Sequence, residues 1–81
     1  MFVSELIAHR LQREAQVLDA VRRGIDTIPA MVEVLYAAVR KELHKPARRS
    51  VLAHLVKLVD DGLVTVAAGT LPRLDSHYRP L

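Results

Sequence analysis

Four histidines, three serines and twelve Lys and Arg side chains are the groups in this chain that could do chemistry, and their spacing decides which chemistry is open to them. His9, His44, His54 and His77 stand far apart. No two of them form an i, i+3 or i, i+4 pair, the spacing that sets two metal ligands on one helix face. The sequence has no cysteine, which removes thiolate zinc sites, disulfides and a cysteine nucleophile. Ser4, Ser50 and Ser76 lack a neighbouring base and acid in a nucleophile arrangement, and three glycines are too few for a phosphate-cradling loop. The expectation is therefore no catalytic residue and no metal site. His54 reads as a partly buried histidine hydrogen-bonded to a neighbour.

Charge is what remains, and it is local. Six of the twelve basic residues fall between Arg40 and Lys57, namely Arg40, Lys41, Lys45, Arg48, Arg49 and Lys57. Against the single acid Glu42 they give that segment +5, while the whole chain carries +3. The rest of the protein is slightly acidic, so the positive field belongs to one region.

The elements that must position these residues follow from apolar periodicity. Ile7, Leu11, Leu18 and Val21, with Ala15 filling the gap, mark one face of a helix from about Val3 to Arg23, ended by Gly24. Glu5 with His9 and Arg10 with Glu14 are i, i+4 pairs on its solvated side. Thr27 caps a second helix with Pro29 in its first turn, and Val32, Leu35, Tyr36 and Val39 form its inner face. After a polar break at Arg40 to Lys45, Pro46 suits the first turn of a third helix with Ala47, Val51, Leu55 and Leu58 inward and Asp60, Asp61 and Gly62 closing it. Its other edge shows Arg48, Arg49, Ala53 and Lys57. Leu63 to Ala67 alternates as a strand, Ala68 to Arg73 carries Gly and Pro turn signals, and Leu74 to Arg79 returns as the partner strand.

Three helices followed by a β-hairpin define a mainly α (α+β) winged helix-turn-helix: a three-helix core with a hairpin wing, in one domain over residues 1–81. Eighty-one residues bury roughly 60% of their unfolded surface, enough for a fold and too little for a deep enzymatic cleft. The core must be aliphatic, because the only aromatics are Phe2, Tyr36 and Tyr78. No apolar run is long enough to span a membrane, and MFVSELIAHR lacks the basic start and apolar core of a secretory signal, so the chain is expected to be soluble and cytoplasmic, with no membrane partner. In a winged helix reader the third helix enters the major groove. Lys45, Arg48, Arg49 and Lys57, with Arg73 at the wing tip, are then the candidate nucleic-acid-binding residues, for sequence-specific duplex contact or for a weaker nonspecific one. The bland reading of the same charges is a solvated helix face, and the helix-turn-helix connector is long and lacks Gly.

The order H-R-x-x-R-E at His9 to Glu14, Leu35-Tyr36, Leu43, Ala47 and S-V-L-A-H-L-x-K-L-x-x-x-G from Ser50 to Gly62 resembles the C-terminal winged helix domain attached to a branch of the metallo-β-lactamase-fold hydrolases, the branch that includes the lactamase-beta-like endoribonuclease. The resemblance runs from about His9 to Val64. It implies a larger parent hydrolase whose N-terminal domain binds zinc through an H-x-H-x-D-H motif and does the chemistry; none of that motif is present in these residues. It also implies that this domain is non-catalytic, needs no cofactor of its own, and packs beside the N-terminal domain. His9, Arg10, Arg13 and Glu14 would then face that domain, and an uncovered interdomain patch would favour a homodimer. The basic third helix would guide a polyanion such as single-stranded RNA or DNA.

Two other readings stand beside this one. A free-standing winged helix DNA-binding transcriptional regulator needs a dimerisation surface, and no extra helix or heptad run supplies one. A purely structural or oligomerisation domain would leave the basic face merely solvated.

Overall fold

The computed structural model describes residues 3–69 and 71–81, with side chains described from residue 8 onward. The chain folds as helix α1 (Val3–Arg22), helix α2 (Ile28–Leu35), a 3-10 turn (Lys41–Leu43), helix α3 (His44–Asp60), and two antiparallel strands, β1 (Val64–Val66) and β2 (Tyr78–Pro80). Val64 stands opposite Pro80, Thr65 opposite Arg79 and Val66 opposite Tyr78. The segment joining α1 to α2 adds itself to the outer side of β2: Thr27 bridges His77, and the Tyr78 amide donates to the Asp26 carbonyl at 2.8 Å. This is the winged helix order expected from the sequence.

Glycine ends the first and third helices. At Gly24 (φ +89°) the Ile25 amide reaches back to the Ala20 carbonyl at 3.0 Å. At Gly62 (φ +75°) the Leu63 amide does the same to Leu58, also at 3.0 Å. Both are Schellman closures, which need a residue that tolerates positive φ. Pro29 occupies the first turn of α2, where its missing amide hydrogen is harmless. Thr27 holds the extended N-cap conformation, but its side chain makes no capping hydrogen bond; its carbonyl accepts the Met31 amide instead.

The core gathers Val17, Ala20 and Val21 from α1, Ile28, Met31 and Val32 from α2, Ala47, Val51, Leu55 and Leu58 from α3, and Val64, Val66 and Tyr78 from the strands. The inward set of α3 is the one its period predicts. On α1 the predicted stripe fails in its first half: Leu11 is 57% exposed and Ala15 is exposed, whereas Val17 and Ala20 are buried. Leu11 lines an open groove against α3, beside Ala53, His54 and Lys57, and is not covered by it. Ile7 and the Glu5–His9 pair lie outside the described side chains. The predicted inner face of α2 is met at Val32, which is buried, and in part at Leu35 and Tyr36, which pack against the core half-buried; the helix itself stops at Leu35, short of Val39, and Ile28 and Met31 join Val32 in the core.

The strands are also shorter than expected. Leu74 to Ser76 is not part of β2, because the Arg73 amide donates to Ser76 Oγ at 3.1 Å and the Ser76 amide returns to the Arg73 carbonyl. A serine that offers its hydroxyl to a local amide competes with strand pairing and wins a turn there. Among the described residues no helix is long and apolar enough to cross a membrane.

Candidate nucleic-acid interface

The start of α3 is fixed by a histidine. His44 Nε2 lies 2.8 Å from the Tyr36 carbonyl and 3.0 Å from the Val39 carbonyl. Two acceptors on one ring nitrogen require that nitrogen to carry the proton, so Nε2–H donates to both. The bond ties the first turn of α3 to the chain leaving α2 and sets how the following residues project.

Lys45, Arg48 and Arg49 follow at i, i+3 and i+4, which places them together on one helix face. All three are exposed, and none makes an ion pair among the described residues. With Pro46 and with Leu74 from the wing they line one shallow depression. The wing residue Leu74 was not singled out by sequence; nothing in its local pattern distinguishes it from a strand residue.

The other two predicted contacts sit elsewhere. Lys57 belongs to the groove between α1 and α3, lined by Arg10, Leu11, Glu14, Ser50, Ala53 and His54. Its Nζ lies 3.0 Å from Asp61 Oδ2 and 3.4 Å from Glu14 Oε1. Hydrogen bonds to Asp61 and then Glu14 hold its ammonium above the ordinary lysine range, so its charge is kept and spent on two carboxylates. Arg73 lies on the wing beside a separate depression with Val66, Asp75, Ser76 and His77. Its carbonyl accepts the Tyr78 hydroxyl at 2.6 Å.

The four residues expected to face another domain divide in the same way. His9 and Arg10 are exposed. Arg13 is engaged inside this fold: its guanidinium donates to Gln16 Oε1 at 2.9 Å and to the Leu35 carbonyl at 3.2 Å, and lies 4.3 Å from the Tyr36 ring centre. Glu14 reaches across to Lys57, and no Arg10–Glu14 ion pair forms among the described residues.

His54 is half-buried in the α1–α3 groove, as expected, but it makes no side-chain hydrogen bond among the described residues. Burial pushes its pKa below the usual histidine value; nearby Glu14 opposes this, and Arg10 and Arg13 add to it. His77 Nδ1 sits 3.1 Å from Asp26 Oδ2, and that bond draws the Asp26 carboxyl below the usual carboxylate range. Among the described residues no three His, Cys, Asp or Glu side chains are grouped to hold a metal ion.

No solved structure matches the chain. A family model does match, that of the beta-lactamase associated winged helix domain, over residues 27–70. That span runs from the N-cap of α2 through the whole of α3 into the wing and takes in Lys45, Arg48, Arg49 and Lys57; the H-R-x-x-R-E segment of α1 precedes it. It covers more than half of the sequence, and with the helix and hairpin order described above it shows that the chain belongs to the beta-lactamase associated winged helix domain family.

Proposed function

We propose that this chain is the accessory, non-catalytic winged helix domain of a metallo-β-lactamase-fold hydrolase, packed beside the zinc-binding catalytic domain of the same polypeptide, and that it helps capture an anionic substrate. The family match supports the association. The observation that carries the capture role is the Lys45, Arg48 and Arg49 face: three cations on one side of α3 that make no ion pair among the described residues, while Lys57 on the same helix is matched by two carboxylates.

An unpaired cluster projects its field into solvent. Such a field raises the encounter rate of a polyanion and leaves the bond-breaking step alone. In this reading the catalytic domain supplies the zinc and the hydrolysis, and this domain supplies attraction and orientation. A free-standing regulator draws no support from a family named for its association with β-lactamases.

The test is the double charge reversal Arg48→Glu with Arg49→Glu in the full-length protein. The expected result is a kcat/KM lowered about tenfold or more at low salt, carried by KM, with a flatter dependence on ionic strength, because each lost phosphate contact removes about 0.9 from the log–log salt slope. Kinetics and salt dependence equal to those of the unaltered enzyme would remove the capture role.

A further inference from the structure

We propose that the open groove between α1 and α3 is a binding site for a small organic acid: one carboxylate on a short acyl or aryl body, with the charge held between Arg10 and His54 and the body laid against Leu11 and Ala53. The site lies apart from the Lys45, Arg48 and Arg49 face, and its test stands or falls independently of the capture role.

The polar groups of the groove divide into those already committed and those left open. Lys57 spends its charge on Asp61 and Glu14, and Glu14 spends its own on Lys57. Arg10, on the α1 side, makes neither an ion pair nor a side-chain hydrogen bond among the described residues. The Ser50 hydroxyl and the half-buried His54 ring make no side-chain hydrogen bond among them either. His54 feels the charges of Glu14, Arg10 and Arg13, which all stand on α1. A ring without a partner keeps an N–H free to donate, and an uncommitted guanidinium beside it supplies a full charge; together they suit one carboxylate. Beside them Leu11, more than half exposed, and Ala53 give the groove its apolar wall.

Size and charge argue against larger occupants. The groove encloses about 410 Å³, within the roughly 300–1,000 Å³ of small-ligand sites. A docked helix needs apolar anchors repeated over two turns, at i, i+3 or i+4, and i+7; Leu11 is the one large apolar side chain in this lining. A chain of phosphates finds a single uncommitted cation here and the Glu14 carboxylate beside it. Proton linkage follows from the same geometry. Burial holds His54 neutral at pH 7, opposed by Glu14 and helped by Arg10 and Arg13, with Lys57 three residues further along its own helix. A bound carboxylate adds negative charge beside the ring and favours its protonated form. Affinity therefore rises as pH falls through the bound ring's raised value, while the ligand's own carboxyl, ordinarily titrating near ~4, stays ionised.

The experiment is an NMR titration of the 81-residue chain with phenylbutyrate, and with phenylbutyramide as the same body without charge, reading the Leu11 methyl and His54 ring signals. The expected result is that both sets of signals move together with a Kd of about 1 mM, as for a ligand of this size, and that the amide binds at least about threefold more weakly. Arg10→Gln, at an exposed position, should lower the affinity for the acid by a similar factor and leave the amide's unchanged. Between pH 7 and about pH 5.5 the unaltered chain should bind the acid at least about twofold more tightly, and His54→Gln should show no such gain. Circular dichroism checks that the helices of both variants persist, and the comparison of acid with amide needs no variant at all. An amide that binds as tightly as the acid would overturn the proposal, and so would signals that move at Lys45 and Arg48 but not at Leu11 and His54. No movement up to about 10 mM would overturn it as well.

Discussion

The guanidinium of Arg13 caps the end of α2 while lying over the ring of Tyr36, the residue that terminates that helix. One side chain of α1 thus satisfies a carbonyl that an eight-residue helix leaves unpaired, at Leu35, and covers the ring beside it. Arg13→Ala should cost about 1–2 kcal/mol, since it removes both the charged hydrogen bond and a cation–π contact. For a domain of this size each kcal/mol corresponds to about 4–8 °C in Tm. Arg13→Lys keeps the charge but loses the fork, and should recover only part of the loss. Exposed Arg10→Ala is the control and should leave Tm nearly unchanged. Equal melting of the Arg13 and Arg10 variants would show that the contact contributes nothing.

His54 makes stability fall on the acid side of neutrality. Burial lowers its folded pKa below 6.5, so between those values the unfolded chain binds more protons than the folded one. Stability contributed by the neutral ring is complete above pH 6.5 and is lost as pH falls through that window. Urea unfolding at pH 7 and pH 5 should show a drop that is smaller in His54→Gln, which cannot titrate. An unchanged pH dependence in the variant would assign the drop to other groups.

How far the sequence reveals this molecule depends on whether a residue's neighbours are close along the chain. The third helix was readable because Pro46, the Ala47, Val51, Leu55 and Leu58 period, and Gly62 are all local signals, and the grouping of Lys45, Arg48 and Arg49 follows from the same period. The burial of α1 was half readable. Leu11 and Leu18 sit on the same predicted stripe, but only the neighbouring helices decide which of them is covered: Leu18 packs against the core and Leu11 is left in the open groove beside α3. The destination of Lys57 was not readable either. Its partner Glu14 lies on another helix, and spacing within α3 cannot show that a cation apparently on the basic edge is turned toward α1. Arg13 and Glu14 looked like surface charges for the same reason, and the wing's return strand was overextended because Ser76 bonds its own turn.

Gly62 gives a clean measure of one closure. A Cβ there would meet nothing within 4 Å, so any cost of Gly62→Ala comes from the backbone at φ +75° and not from a clash. The expected loss is about 1 kcal/mol, with Gly62→Asn losing less because asparagine tolerates the left-handed region better. Thermal melts of the two variants side by side would decide it; an alanine variant as stable as the unaltered protein would mean that the α3 to β1 junction rearranges freely.

Tyr78 links the core to the wing, and its hydroxyl is the link. The ring is buried, and Oη–H donates to the Arg73 carbonyl at 2.6 Å, holding the base of the loop that carries Leu74 to the basic face. Tyr78→Phe keeps the ring and deletes the donor, so the core should survive while the loop loosens. The expected cost is about 0.5–1.5 kcal/mol, with faster amide exchange at Ser76 than at Val51 as the local signature. Burial also raises the phenol's pKa above 10, so the folded protein keeps this proton where the unfolded chain would release it. The associated stability is therefore complete below pH 10 and fades as pH climbs through the folded value. Tyr78→Phe, having no phenol to ionise, should lose less stability between pH 9 and pH 11 than the unaltered chain; parallel declines would place the alkaline transition on other groups.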